Sequence, residues 1–236
     1  MKIQAQKTKI FKEGDDLIGF IISHIPKLSN GDILVITSKI VSLSERRTAS
    51  YKSEKELEGM IKKESQFAMK TKLVWLTIKD GMVLASAGID KSNANGKIIL
   101  LPKDSYNSAE TIRKILIKYY KLKNLGIIIS DSRTLPLRAG IVGIATGYAG
   151  FQGLRSYKGK KDLFGRTLNF SRTDVADSLA TSAVLLMGEG DECMPLAIIK
   201  DAPVAFKSKI DRKELNIDIK EDMYRPLFEK IKKIKY

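Results

Sequence analysis

The sequence predicts an α+β fold of mixed, largely antiparallel sheets with packed helices, and three observations predict it. Strand-like and helix-like segments are interspersed without the regular strand–helix–strand rhythm of a doubly wound sheet. Asp80-Gly81, set between two apolar runs, is a tight-turn dipeptide of the kind that joins neighbouring antiparallel strands. The glycines Gly140, Gly143, Gly147 and Gly150 interrupt an apolar stretch but match neither G-x-G-x-x-G nor G-x-x-x-x-G-K-[ST]. Their spacing suits close backbone packing within a strand, so nucleotide folds built on those loops are discarded.

Helical periodicity marks Asp15–Ile25, Glu54–Lys70, Ser108–Leu122, Val175–Met187 and Pro226–Ile234. Ser108 with Glu110, and Asp174 ahead of its apolar run, supply starts; Gly188 supplies a stop. Strand-like runs are Ile33–Thr37, Lys72–Lys79, Met82–Ser86, Lys97–Leu101, Gly126–Ser130, Ala139–Thr146 and Leu196–Ile199. Residues 1–236 read as a single unit, and Gly150–Gly153 is the one weak candidate for a subdomain boundary.

Composition excludes several kinds of chemistry. One histidine and one cysteine cannot assemble a zinc site, and His24 lies in an amphipathic helical pattern that favours a structural role. Metal chemistry here must therefore use carboxylates and a hard cation such as magnesium or manganese. The lone Cys193 excludes an internal disulfide, no signal-peptide run opens the chain, and runs such as Ile98–Leu101 are too short to span a membrane. A cytoplasmic protein without a membrane partner is expected. The formal charge is +15, from 42 Lys and Arg against 27 Asp and Glu. No interleaving of arginine with aromatics accompanies that charge, so nucleic acid is not expected as a partner.

Polar residues cluster where strand-like runs end. Ser38-Lys39 follow Ile33–Thr37, Ile89-Asp90-Lys91-Ser92-Asn93 follow Met82–Ser86, and Asp131-Ser132 follow Ile127–Ser130. Gly188-Glu189-Gly190 end a helix. Strand ends hold catalytic groups rigidly and leave them open to ligand, so two aspartates and a glutamate could converge on one or two cations. Each also has a plainer reading: Asp90 as a turn or cap residue, Gly188–Gly190 as a helix C-cap.

In collinear order, several blocks resemble the coenzyme F420-0:gamma-glutamyl ligase family: Gly31–Ser42, Ala87-Gly88-Ile89-Asp90-Lys91-Ser92-Asn93, Ile129-Ser130-Asp131-Ser132, Lys161-Asp162-Leu163-Phe164-Gly165-Arg166 and Leu186–Gly190. The resemblance covers roughly residues 8 to 200. It implies a gamma-glutamyl ligase-like fold in an intertwined homodimer. It also implies a ligase that adds L-glutamate to the carboxylate of a deazaflavin acceptor, using GTP and passing through an acyl phosphate. By position, Asp90, Asp131 and Glu189 are the expected catalytic carboxylates, and these three with Ser132 the expected ligands of Mg2+ or Mn2+, with K+ a further candidate. Thr8, Lys9, Ile10, Phe11, Ser38, Lys39, Asn93, Met187, Gly188, Gly190 and Asp191 are the expected nucleotide site.

The chain departs from the family pattern at three places. Leu43 stands where the family usually has a lysine, so Lys39, Arg46 or Arg47 would have to supply that charge. Ser132–Arg138 lacks the usual glycine and aromatic, and Asp191–Pro195 replaces a glycine-rich stretch. Two alternatives stay open: an amide ligase with another acceptor or amino acid, and a non-catalytic descendant binding nucleotide or nucleic acid.

Overall fold

A computed structural model describes residues 1–94 and 96–228. A five-stranded sheet is its centre. From one edge to the other it comprises β1 (Lys2–Gln6), β12 (Leu196–Lys200), β2 (Ile33–Thr37), β8 (Gly126–Thr134) and β9 (Ile141–Ala149). Only β2 and β8 run parallel; every other neighbouring pair is antiparallel. A second, three-stranded antiparallel sheet holds β4 (Phe67–Lys70), β5 (Trp75–Lys79) and β6 (Met82–Ala85). Two short pairs complete the strands: β3 (Thr48–Ala49) with β7 (Ile98–Ile99), and β10 (Leu154–Ser156) with β11 (Arg172–Asp174). The α+β class is as the sequence predicts.

The unbroken apolar runs of β2 and β8 exist because both faces of the central sheet are covered. Leu34, Ile36, Ile127 and Ile129 point into one core, with α1 (Leu17–His24), α2 (Ser38–Ser44) and α4 (Ser105–Tyr120). Ile33, Val35 and Ile128 point into the other, against α5 (Val175–Met187).

A β-bulge at Thr146 decides which helix each glycine of β9 meets. Ile129 pairs with Gly147 and Ser130 with Ala145, which leaves Thr146 as the extra residue. Before the bulge, a Cβ on Gly143 would lie 2.6 Å from Val184 of α5 and 2.7 Å from the Ala180 carbonyl. After it, a Cβ on Gly147 would lie 2.6 Å from the Tyr106 amide of α4. Gly143 and Gly147 thus serve packing, as the spacing suggests, whereas Gly140, with φ of 92° and open space around it, serves backbone freedom ahead of β9 instead.

Several elements differ from their sequence reading. The helix expected over Glu54–Lys70 is α3 (Glu54–Lys63) followed by β4, because Phe67–Lys70 pair with Trp75–Ile78. Asp104 rather than Ser108 caps α4, its carboxylate accepting the Asn107 amide at 2.8 Å. The Asp80-Gly81 hairpin forms as expected, with φ of 51° and 77°. Of the helix expected over Pro226–Ile234, only the beginning lies within a short turn at Arg225–Phe228; the rest is outside the described residues. Gly150–Gly153 directly follows β9 and includes the fully buried Phe151. No described helix is long and apolar enough to cross a membrane.

Candidate active site

The parallel pairing of β2 with β8 ends at Thr37 and Ser130, and the residues just beyond that point on each strand build the site. Past Thr37 the chain turns into α2, whose first residues are Ser38 and Lys39. Past Ser130 comes Asp131. Asp90 arrives from the far side of the chain, where its amide donates to the Ile99 carbonyl and the Ile99 amide donates back, each at 2.9 Å. Ser38, Lys39, Asp90, Leu101 and Asp131 together line a pocket of about 10 Å³, room for one water-sized occupant.

The two aspartates are in opposite electrostatic conditions. Burial raises the Asp90 carboxyl, but Lys39 and Ser92 outweigh it and hold the group below the usual range. Lys39 Nζ lies 2.8 Å from Asp90 Oδ2 and donates to Ser92 Oγ at 3.1 Å, while the Ser92 amide donates to Asp90 Oδ1 at 2.6 Å. Asp131 is pushed up to about 7, by burial first and by the charge of Asp90, against the Ser132 amide, Ser38 and Lys39. Two facing carboxylates, one of which gives up its proton reluctantly, are a place where an entering hard cation would relieve repulsion. The donor set therefore fits magnesium or manganese.

Glu189 stands apart from that pair. Its Oε1 accepts a hydrogen bond from Ser132 Oγ at 2.6 Å, so it reaches the site through the neighbour of Asp131. Among the described residues, no three or more His, Cys, Asp or Glu are gathered as a metal-holding group.

The segments expected at the nucleotide surround the loop after α5. The Thr8 amide donates to the Cys193 carbonyl at 2.9 Å, Asn93 Nδ2 to the Gly190 carbonyl at 3.4 Å, and the Thr37 amide to the Pro195 carbonyl at 3.0 Å. The Gly190 amide is taken by Glu192 at 2.7 Å, Gly188 caps α5 with φ of 78°, and Asp191 is exposed. The Lys9 amide donates to His24 Nε2 at 3.4 Å and Ile10 is exposed, whereas Phe11 packs edge-on against Phe20 in the core. Met187 is likewise buried, so Phe11 and Met187 have only backbone to offer a ligand. His24 is structural: its Nδ1 lies 2.8 Å from the Phe20 carbonyl and its ring rests on Phe20.

Leu43, at the position of the usual lysine, packs against the core. Arg47 is bound to Glu64 at 2.8 Å and to the Leu101 carbonyl at 3.1 Å, and Arg46 lies beside Gly14. Lys39 is thus the cation at the pocket. Ser92 orients both Lys39 and Asp90; the Ala87–Asn93 block contains it, but a serine in a loop has no sequence signal that separates this role from a turn.

A family model described as F420-0:Gamma-glutamyl ligase matches residues 6–79 and 52–201, which include Lys39, Asp90, Asp131, Ser132 and Glu189. The chain belongs to the F420-0:gamma-glutamyl ligase family. The coenzyme F420:L-glutamate ligase of Methanococcus maripaludis strain C6 is 36% identical over 223 residues, covering 87% of this chain and 89% of the relative. Those of Methanocaldococcus jannaschii and Archaeoglobus fulgidus are 35% and 32% identical, each covering 92% of this chain and 93% and 92% of the relative. This member of the gamma-glutamyl ligase family is thereby a ligase.

Proposed function

We propose that the protein joins L-glutamate to the carboxylate of coenzyme F420-0, with GTP as co-substrate and Mg2+ or Mn2+ as the required ion. The observation that carries the reading is the Asp90–Asp131 pair facing one pocket beside Lys39, in a chain of this family. The acceptor carboxylate oxygen attacks the γ-phosphorus and GDP departs; the glutamate amine then attacks the acyl carbon and phosphate departs. Asp90 and Asp131 would hold the metal, with Ser132 and Glu189 beside them, and K+ is a further candidate cation. The ion supplies charge neutralisation for the transferring phosphoryl group. Lys39 keeps Asp90 ionised, and the Thr8–Phe11 segment and the loop at 187–194 contribute backbone amides to the nucleotide. Exposed Leu137, Leu163, Phe164 and Phe170 favour a homodimer, which would cover them. We place the enzyme in the cytoplasm.

The test is release of GDP and phosphate only when F420-0, glutamate, GTP and a divalent ion are all present. Folded protein that yields no glutamylated product from authentic F420-0 overturns the reading. The core-packed Leu43 favours one alternative, an amide ligase with a different acceptor or amino acid. A substrate screen monitored by phosphate release separates the two.

A further inference from the structure

We infer that a cavity on the far side of Leu101 from the two carboxylates holds the body of the acceptor, a planar aromatic molecule carrying anionic groups. This rests on the ligase reading above. The carboxylate pocket, at about 10 Å³, admits no organic acceptor. The neighbouring cavity is about 310 Å³, within the range of small-molecule sites, and Leu101 belongs to the walls of both. An acceptor seated there extends its reacting carboxylate past Leu101 to Asp90 and Asp131.

The segments assigned to the nucleotide in the proposed function lie elsewhere. Thr8 and Asn93 hold the loop at 187–194, and none of these residues lines the cavity. The loop adjoins the carboxylate segments through Asn93–Gly190 and Ser132–Glu189, and the cavity adjoins them through Leu101, so two substrates have separate approaches to one point.

The cavity walls suit a ring with acidic substituents. Met82, Leu101 and Pro102 provide apolar contact and Tyr106 an aromatic one. Arg212 lies 5.9 Å from the Tyr106 ring centroid and 3.0 Å from Asp104 Oδ2, and Lys103 has no carboxylate within ion-pair distance among the described residues. Asp104 is already engaged as the cap of α4, which leaves Asp80 as the other acidic group at the rim. The Arg212–Asp104 pair is exposed, and the guanidinium retains further N–H donors for an incoming anion. Arg212 lies beyond the residues that the family model matches. Its segment is fixed by Glu214, which accepts from Tyr148 Oη at 2.6 Å and from the Gly153 amide at 2.7 Å.

The test uses the full chain without nucleotide and tracks F420-0 binding by the absorbance and fluorescence of its ring. Arg212→Ala and Lys103→Ala each weaken binding about tenfold, the loss of one charged contact. Met82→Trp, which fills the cavity, weakens it further. KM for GTP and glutamate stays at the wild-type value in all three. The two exposed positions keep the test standing if Met82→Trp does not fold. Wild-type protein that does not bind F420-0, or variants that bind it like wild type, overturn the inference. Ligase turnover with KM for F420-0 at the wild-type value in all three variants sinks the cavity and leaves the ligase reading intact. Binding that weakens as expected in a protein with no turnover supports the cavity and sinks the ligase reading.

Discussion

Two acidic pairs flank β8 and β9, and they are held in different ways. At the start of α5, Asp174 accepts the Asp177 amide at 2.9 Å, and Asp177 accepts the Ala145 amide at 2.9 Å and pairs with Arg133 at 3.3 Å. Their oxygens belong to the architecture: one caps a helix, the other ties that helix to β9. Asp90 and Asp131 come from distant segments and turn toward an open pocket instead. Protonation does not separate the pairs, since burial and a neighbouring carboxylate push Asp131 up to about 7 and Asp174 up to about 6. A perturbed carboxylate marks a site only when its remaining oxygen atoms face space rather than the chain's own backbone.

Exchanging the chemistry of each pair tests that distinction. Asp131→Asn should lower turnover by on the order of 10²–10³, typical of losing one group that stabilises developing charge, with little change in melting temperature. Retained activity in a folded variant breaks the comparison. Asp177→Ala should do the reverse. It strands Arg133 and the Ala145 amide, at a cost of roughly 2–4 kcal/mol, or about 5–15 °C in melting temperature. Turnover per folded molecule should stay near wild type, and its loss without unfolding would merge the two pairs into one site.

The smallest effect is a pH dependence. The raised Asp174 group binds its proton more tightly folded than unfolded, so its stabilisation is full below about 4 and is lost as pH rises through about 6. Asp174→Asn keeps the cap but cannot ionise. Its melting temperature should fall less than that of wild type between these limits. Parallel curves for the two proteins would remove Asp174 from the account.

Much of the fold was legible because its signals are local. Asp80-Gly81 needs only its own backbone freedom to form a turn, and the runs of β2, β8 and β12 announce strands buried on both faces. Of the elements that escaped, including the short strands β3, β10 and β11, three show the reasons. The edge strand β1 gains its identity from pairing with β12. The helical pattern around Glu54–Lys70 is overridden where Phe67–Lys70 find partners in β5. The seven-residue α2 is too short to show a period. Within the site, Asp90, Asp131, Ser38 and Lys39 were legible as polar residues at strand ends. Tyr106 and Arg212 were not, because a tyrosine in a helix and an arginine in the tail carry no local mark of a shared cavity.

By itself the sequence determined the available chemistry: with one histidine and one cysteine, only oxygen ligands and hard cations remain. It also determined the α+β class, the hairpin and the family. Only the tertiary structure decided which carboxylates meet. Asp90 faces Asp131 because β2 and β8 pair in parallel and Asp90 bridges to Ile99, while Glu189 instead accepts a hydrogen bond from Ser132. Such meetings depend on contacts between segments far apart in the chain, whose closure is favoured only once both faces of the central sheet are buried.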